Sequence, residues 1–265
     1  SGMSAYANIA RAWGAQVRGW DLRDTIFMET LAGVEIDISE VPTPPDGWEV
    51  VVSTAHRHRV DGIPREAFLA ELVAARPAIV VSGAHGKTTT AAMIAHALRE
   101  TGNDPAWIIG GVVGQLEGNA GTGSGWLVVE GDESDRSVFA LRPEIAVVTN
   151  IELDHHAFYG SEAELRDAFE EWLATVPRVV RSWELEPAAF VMSIAGEHNR
   201  QNAAVAIAAE RVGLQARAAR DVPHVHHLVL EDVGGLHQLA ADGDAAFVVQ
   251  VGVGDGGAVD LGLEE

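Results

Sequence analysis

No cysteine occurs in the 265 residues, and all but one of the 18 lysine and arginine side chains are arginine. The first absence excludes disulfides and thiolate metal sites and agrees with a reducing compartment. No apolar run approaches the roughly 18–20 residues that cross a bilayer. The start carries no signal-peptide pattern. Together these absences predict a cytoplasmic protein without membrane insertion. Positive charge is scarce too, and the formal net charge is −21. A chain this acidic is repelled by phosphodiester backbones, which argues against nucleic acid as a partner. Small phosphorylated ligands remain compatible, because local backbone N–H groups and a few cations hold them. The one lysine is Lys87.

What is present is an ordinary globular composition, 47% hydrophobic and 22% charged, enough for a packed core. Short apolar runs alternate with amphipathic stretches, the pattern of an α/β fold with a parallel sheet. Helices are expected over 5–13, 65–75, 88–100, 162–174 and 200–212, with Gly102 as the stop of the third; beyond Gly213 the signal weakens. Strands are expected over 16–20, 49–54, 78–82, 126–130, 144–150 and 245–251. Pro77 marks the first boundary.

Strand 78–82 runs into Gly83-Ala84-His85-Gly86-Lys87-Thr88-Thr89 and then a helix. Strand, glycine turn, Lys-Thr and helix is the physical recipe for a phosphate site. Glycines let backbone N–H groups approach an anion, the helix N-terminus adds partial positive charge, and the lysine neutralises terminal phosphates. A hydroxyl directly after the lysine suits Mg²⁺. The strict P-loop pattern is not met, because Val81 stands where its first glycine would be, and a chance glycine turn stays an alternative. Two further polar clusters follow strand ends, EGDESD (130–135) and TNIELDHH (149–156). In an open parallel sheet such ends share one edge, so the three clusters are expected to converge there. Asp132, Glu133 and Asp135 also read as a solvated acidic loop, and His155 as a surface histidine. His56, His58, His224, His226 and His227 have no carboxylate partners in a recognisable pattern and read as mostly surface residues.

The stretch SGAHGKTTTAAMIAHAL (82–98), with EGDESD and TNIELDHH, resembles the Mur ligases, whose motifs are G-T-x-G-K-[ST]-[ST], E-[AG]-D-E-S-D and T-N-x-E-x-D-H. Ala84 departs from the usual threonine, a mild change in a loop that works through its backbone. The resemblance implies ATP binding by Gly83, Ala84, His85, Gly86, Lys87, Thr88 and Thr89. It implies Mg²⁺ at Thr88, Glu130 and His155, and catalysis by Lys87, Glu130 and His155. SIAGEHNRQNAAVAIAA (193–209) is similar to the family's G-x-H-N-x-x-N segment, which nominates His198, Asn199 and Asn202 beside the adenine; Asn199 also reads as the N-cap of the 200–212 helix. Gly2, Met3 and Ser4 match the end of the loop that holds the UDP-sugar pyrophosphate. DESD and LDHH resemble the alanine-adding branch more than the muropeptide-recycling one. A carbamylated lysine, used by several members, is impossible here because Lys87 is the only lysine.

The implied protein is an α/β ATP-dependent amide ligase with UDP-N-acetylmuramic acid and L-alanine as substrates, working through an acyl phosphate in peptidoglycan synthesis. A muropeptide-recycling ligase, or a nucleotide- or UDP-sugar-binding module without turnover, remains the alternative. The expected layout is a UDP-sugar-binding Rossmann-like domain over 1–77, incomplete at its start, and a P-loop ATP-binding domain with a parallel sheet over 78–213. A remnant of a C-terminal Rossmann-like domain is expected over 214–265. Residues 177–193 read as strand fragments run together, and AAFVVQVGVGDGG (245–257) resembles the last strand and loop of the third domain. The expectation is therefore that segments of a longer chain are missing.

Overall fold

The computed structural model describes residues 2–24, 28, 31, 33–45, 47–48, 50–153, 158–189, 196–220, 238–241 and 245–251. In chain order the elements begin with α1 (Gly2–Ala12), β1 (Ala15–Asp21), β2 (Glu35–Ile38), β3 (Val51–Val52), β4 (Ile63–Pro64) and α2 (Arg65–Ala75). They continue with β5 (Ala78–Ser82), α3 (Lys87–Glu100), β6 (Ala106–Val113), β7 (Gly118–Gly121), β8 (Leu127–Glu130) and β9 (Ile145–Val148). The last are α4 (Glu162–Leu173), β10 (Arg178–Arg181), α5 (Glu197–Arg220), β11 (Gln238–Ala241) and β12 (Ala245–Val251). The chain divides into two compact units, the first made of 1–69, 120–122 and 226–265 and the second of 70–119 and 123–225, so that one cut falls within α2 and another within β7.

In the first unit a four-stranded sheet has the order β11-β12-β1-β2. β1 and β2 are parallel, whereas β12 runs antiparallel to β1 from Ala15 opposite Val251 to Asp21 opposite Ala245. Residues 245–251 thus pair within the first unit. They cover an edge of β1 that would otherwise expose unpaired backbone groups. Met3, Tyr6, Ile9, Trp20 and Phe68 are buried, with Tyr6 and Phe68 meeting edge to face at 6.4 Å. His56, read from sequence as a surface residue, is buried and stands edge-on to Trp20 at 5.3 Å. The 49–54 strand shortens to Val51–Val52, paired with Ile63–Pro64.

The second unit is built on a six-stranded sheet of order β10-β9-β5-β8-β6-β7. The ladders β10/β9, β9/β5, β5/β8 and β8/β6 are all parallel. AIVVS, LVVE and IAVV are near-continuous apolar runs because their sheet is covered on both faces. Alternate residues serve the two sides. Ile79, Val81, Val128, Ile145 and Val147 join Ile94, Leu98, Val205 and Ala209 in one core with α3 and α5. On the other face Val80 lies beside Val138, and Phe139, Phe169 and Trp172 form an edge-to-face cluster under α4. Each such aliphatic side chain taken from water stabilises the fold by about 1.5–3 kcal/mol.

Candidate functional site

β5, β8 and β9 are parallel, with Val81 opposite both Glu130 and Val147, so their carboxyl ends lie at one edge of the sheet. The clusters at 83–89, 130–135 and 149–153 therefore start side by side, as the strand pattern predicts. β5 is central, between β9 on one side and β8 on the other. The chain crosses from β8 to β9 past this strand, which opens a crevice at the strand ends, the usual ligand position in such sheets.

Sterics dictate the loop after β5. Gly83 has φ +133°, and a Cβ there would lie 2.4 Å from Thr149 Oγ1 and 2.6 Å from the Asn150 carbonyl oxygen. Gly86 has φ +82° and faces Asn202 of α5, whose Oδ1 would be 2.7 Å from an added Cβ. Only glycine fits both positions. Gly86 caps α3, so Lys87 and Thr88 open the helix at its electropositive end. The loop is braced from β9: the His85 N–H donates to Asn150 Oδ1 at 3.0 Å, while Asn150 Nδ2 and Thr149 Oγ1 donate to the His85 carbonyl oxygen at 2.9 and 2.6 Å. Thr149 and Asn150 open the TNIELDHH motif, but their bracing role depends on the sheet order and is not visible in the sequence.

Lys87 Nζ donates to the Gly83 carbonyl oxygen at 2.7 Å and to Glu133, whose oxygens lie 3.2 and 3.1 Å away. Glu133 is buried, 4% exposed, so the solvated-loop reading fails for this residue. Asp132 and Asp135 do form the loop's turns, accepting from Ser134 N and Ser137 N. Tyr159 Oη donates to the Glu133 carbonyl oxygen at 2.8 Å, and burial pushes its phenol up to about 12. Thr88 Oγ1 donates to Glu130 Oε1 at 2.9 Å, and Glu130 Oε2 accepts from the Gly110 N–H at 2.7 Å. The strand β6 that supplies this N–H is absent from the sequence reading. Its double glycine, WIIGGVV, is the signal: a Cβ on Gly110 or Gly111 would press on Glu130 or on Thr88.

Thr88 and Glu130 offer adjacent oxygen donors, the ligand type Mg²⁺ takes when phosphate and water complete its shell. Among the described residues no group of three or more His, Cys, Asp or Glu side chains could hold a metal. His155 lies outside the described residues. α5 starts at Glu197, so Asn199 sits buried within its first turn and is not the N-cap; His198 is exposed and Asn202 abuts the loop. A cleft of about 380 Å³ opens at the Thr149–Asn150 brace, lined by Asn150, Glu152, Arg166, Trp183, Leu185 and Gln201 among others. Gln201 Nε2 ties α5 to the Ser182 and Leu185 carbonyl oxygens at 2.5 and 3.1 Å, which fixes the turn carrying Trp183. Gly2, Met3 and Ser4 open α1 in the first unit, where Met3 and Ser4 are buried.

The family model for the Mur ligase middle domain matches residues 81–180. A UDP-N-acetylmuramate–L-alanine ligase of Rubrobacter xylanophilus is 39% identical over 192 residues, covering 67% of this chain and 43% of that protein. The ligase of the same name from Variovorax paradoxus is 38% identical over 193 residues, covering 67% and 40%. The chain thus spans about two-fifths of the length of these curated relatives. Among solved structures, a UDP-N-acetylmuramate–alanine ligase from Thermotoga maritima aligns with a TM-score of 0.66 at 26% identity, over 83% of this chain and 64% of that one. A UDP-N-acetylmuramate:L-alanyl-γ-D-glutamyl-meso-diaminopimelate ligase from Neisseria meningitides shares the fold, with a TM-score of 0.64 at 22% identity over 80% and 90% of the two chains.

Proposed function

The chain belongs to the Mur ligase family, and from that premise we propose that it joins L-alanine to UDP-N-acetylmuramic acid at the expense of ATP, a step of peptidoglycan synthesis carried out in the cytoplasm. The observation that carries the reading is the Lys87–Thr88–Glu130 arrangement at the start of α3, with Thr88 Oγ1 2.9 Å from Glu130 Oε1. The name carried by relatives 38–39% identical favours L-alanine as the amine.

In this reading the 83–89 loop and the N-terminus of α3 hold the triphosphate, and Lys87 draws charge from its terminal phosphates. Thr88 and Glu130, joined by His155 on the family pattern, would hold Mg²⁺, which neutralises charge on the transferring phosphoryl group. The muramyl carboxylate oxygen attacks the γ-phosphorus and ADP leaves, giving an acyl phosphate. The alanine amine then attacks the acyl carbon, inorganic phosphate departs with the bonding pair, and the nitrogen gives up its proton to solvent, leaving the neutral amide. Asn202, at the loop, and His198 and Asn199 at the head of α5 serve the base end, with the cleft beside Trp183 giving the base room. The N-terminus of α1, at Gly2, Met3 and Ser4, offers the UDP-sugar pyrophosphate its backbone N–H groups.

Phosphate release measured with ATP, UDP-N-acetylmuramic acid and L-alanine tests the proposal. Release is expected only when all three are present, and Lys87→Met and Glu130→Ala are expected to abolish it. Release with a peptide in place of alanine would make the chain a muropeptide ligase. Nucleotide binding without release would make it a binding module, and full activity in Lys87→Met would remove the phosphate-loop assignment.

A further inference from the structure

Glu133 is a buried carboxylate, and the roles proposed above for Lys87, Thr88 and Glu130 make no use of it. Its oxygens accept from Ser82 Oγ at 3.3 Å, the Gly83 N–H at 3.4 Å and Lys87 Nζ at 3.2 Å, and its backbone oxygen accepts from Tyr159. A carboxylate with 4% exposure is costly unless it is paired and hydrogen-bonded, and these donors meet that need. The ammonium of Lys87 has three N–H donors. The Gly83 carbonyl takes one and Glu133 takes a second, which leaves one for a ligand. Ser82 Oγ and the Gly83 N–H hold the carboxylate, and Tyr159 holds the backbone of Glu133, independently of the lysine, so the carboxylate need not move when a phosphate arrives.

We propose that Glu133 is a positioning residue that fixes the Lys87 ammonium with its remaining donor toward the nucleotide phosphates. The proposal rests on the reading of the loop as the ATP site. It also gives the acidic loop a task distinct from that of Glu130. With no second lysine in the sequence, no neighbouring ammonium can take over if Lys87 is misaligned.

The test is a double-mutant cycle read by calorimetric titration of ATP with Mg²⁺ into the wild type, Glu133→Gln, Lys87→Met and the double variant. Glutamine preserves the shape and still accepts from Ser82 and Gly83 while losing the charge. Glu133→Gln is expected to weaken ATP binding by about tenfold, the scale of one charge-assisted hydrogen bond. Added to Lys87→Met it is expected to cost less than twofold, because residues that act through one another are not additive. Losses that multiply in the double variant would mean that Glu133 merely holds the loop together, and unchanged or tighter binding in Glu133→Gln would mean that it competes with phosphate. Either result overturns the proposal. Failure of the wild type to bind ATP, or wild-type affinity in Lys87→Met, would instead overturn the ATP-site reading beneath it. If Glu133→Gln does not fold, Glu133→Asp takes its place in the same cycle with the same criterion: a loss that vanishes in the Lys87→Met background supports positioning, and a multiplying one or none overturns it.

Discussion

At the scale of single residues the site is a set of close approaches, and Gly110 makes the sharpest case. A Cβ at this position would stand 2.9 Å from Glu130 Oε2 and 3.2 Å from its Cδ. The side chain of Glu130 is flexible enough to swing away, so Gly110→Ala is expected to leave the fold intact and to displace the carboxylate. Misplacing a catalytic group by about 1 Å costs up to ~100-fold in rate. Gly110→Ala should therefore lower Mg²⁺-dependent phosphate release by about that factor while its urea midpoint stays close to wild type. A variant with normal turnover would show that Glu130 is not needed where it stands. The sequence displays Lys87 plainly, because a lone lysine between a glycine turn and a helix start points to a bound anion. It hides Gly110, whose value lies in contacts with residues 20 positions away. Glu133 is hidden differently: an acidic run looks solvated until the partner that buries one member is known.

Elements are legible where periodicity and stop signals agree. The helix expected over 65–75 and the strand over 78–82 recur as Arg65–Ala75 and Ala78–Ser82, and the helices over 88–100 and 162–174 shift by a residue at one end. β6 escapes the sequence pattern because two glycines in an apolar run weaken strand propensity, and only their role in admitting Glu130 and Thr88 explains them. α5 looks shorter than it is because the helical signal weakens beyond Gly213, glycine being a poor helix former, yet the helix runs on to Arg220. Ala209 and Ala216 are buried in the shared core on either side of it, so packing overrides the local signal. A helical glycine costs ~0.5–1 kcal/mol relative to alanine. An added Cβ at Gly213 would meet Trp126 at 3.6 Å, an ordinary contact. Gly213→Ala is therefore expected to stabilise the protein by roughly that amount in urea unfolding; destabilisation would mean that the helix is strained at this point.

At the scale of the whole molecule, the mostly parallel six-stranded sheet is legible as a class, but the partner of residues 245–251 is not, since antiparallel pairing with Ala15–Asp21 joins segments more than 200 residues apart. The charge raises a different question. A net charge of −21 repels a Mg²⁺-complexed nucleotide, which is itself an anion, while the site offers one ammonium already shared with Glu133 and a helix N-terminus. The helix end contributes about half a positive charge, and its reach is the first turn. Salt screens exposed charges beyond roughly 8–10 Å at physiological ionic strength but leaves contacts inside the crevice largely intact. Raising salt should thus remove more repulsion than attraction. The association rate of ATP with Mg²⁺, followed by stopped flow between low and physiological salt, is expected to rise by a few-fold. The dissociation rate should change less, because it is governed by the short-range contacts of the loop. An association rate that falls with salt would mean that the strand-end crevice projects a net positive field, and that arginines remote from the loop steer the nucleotide.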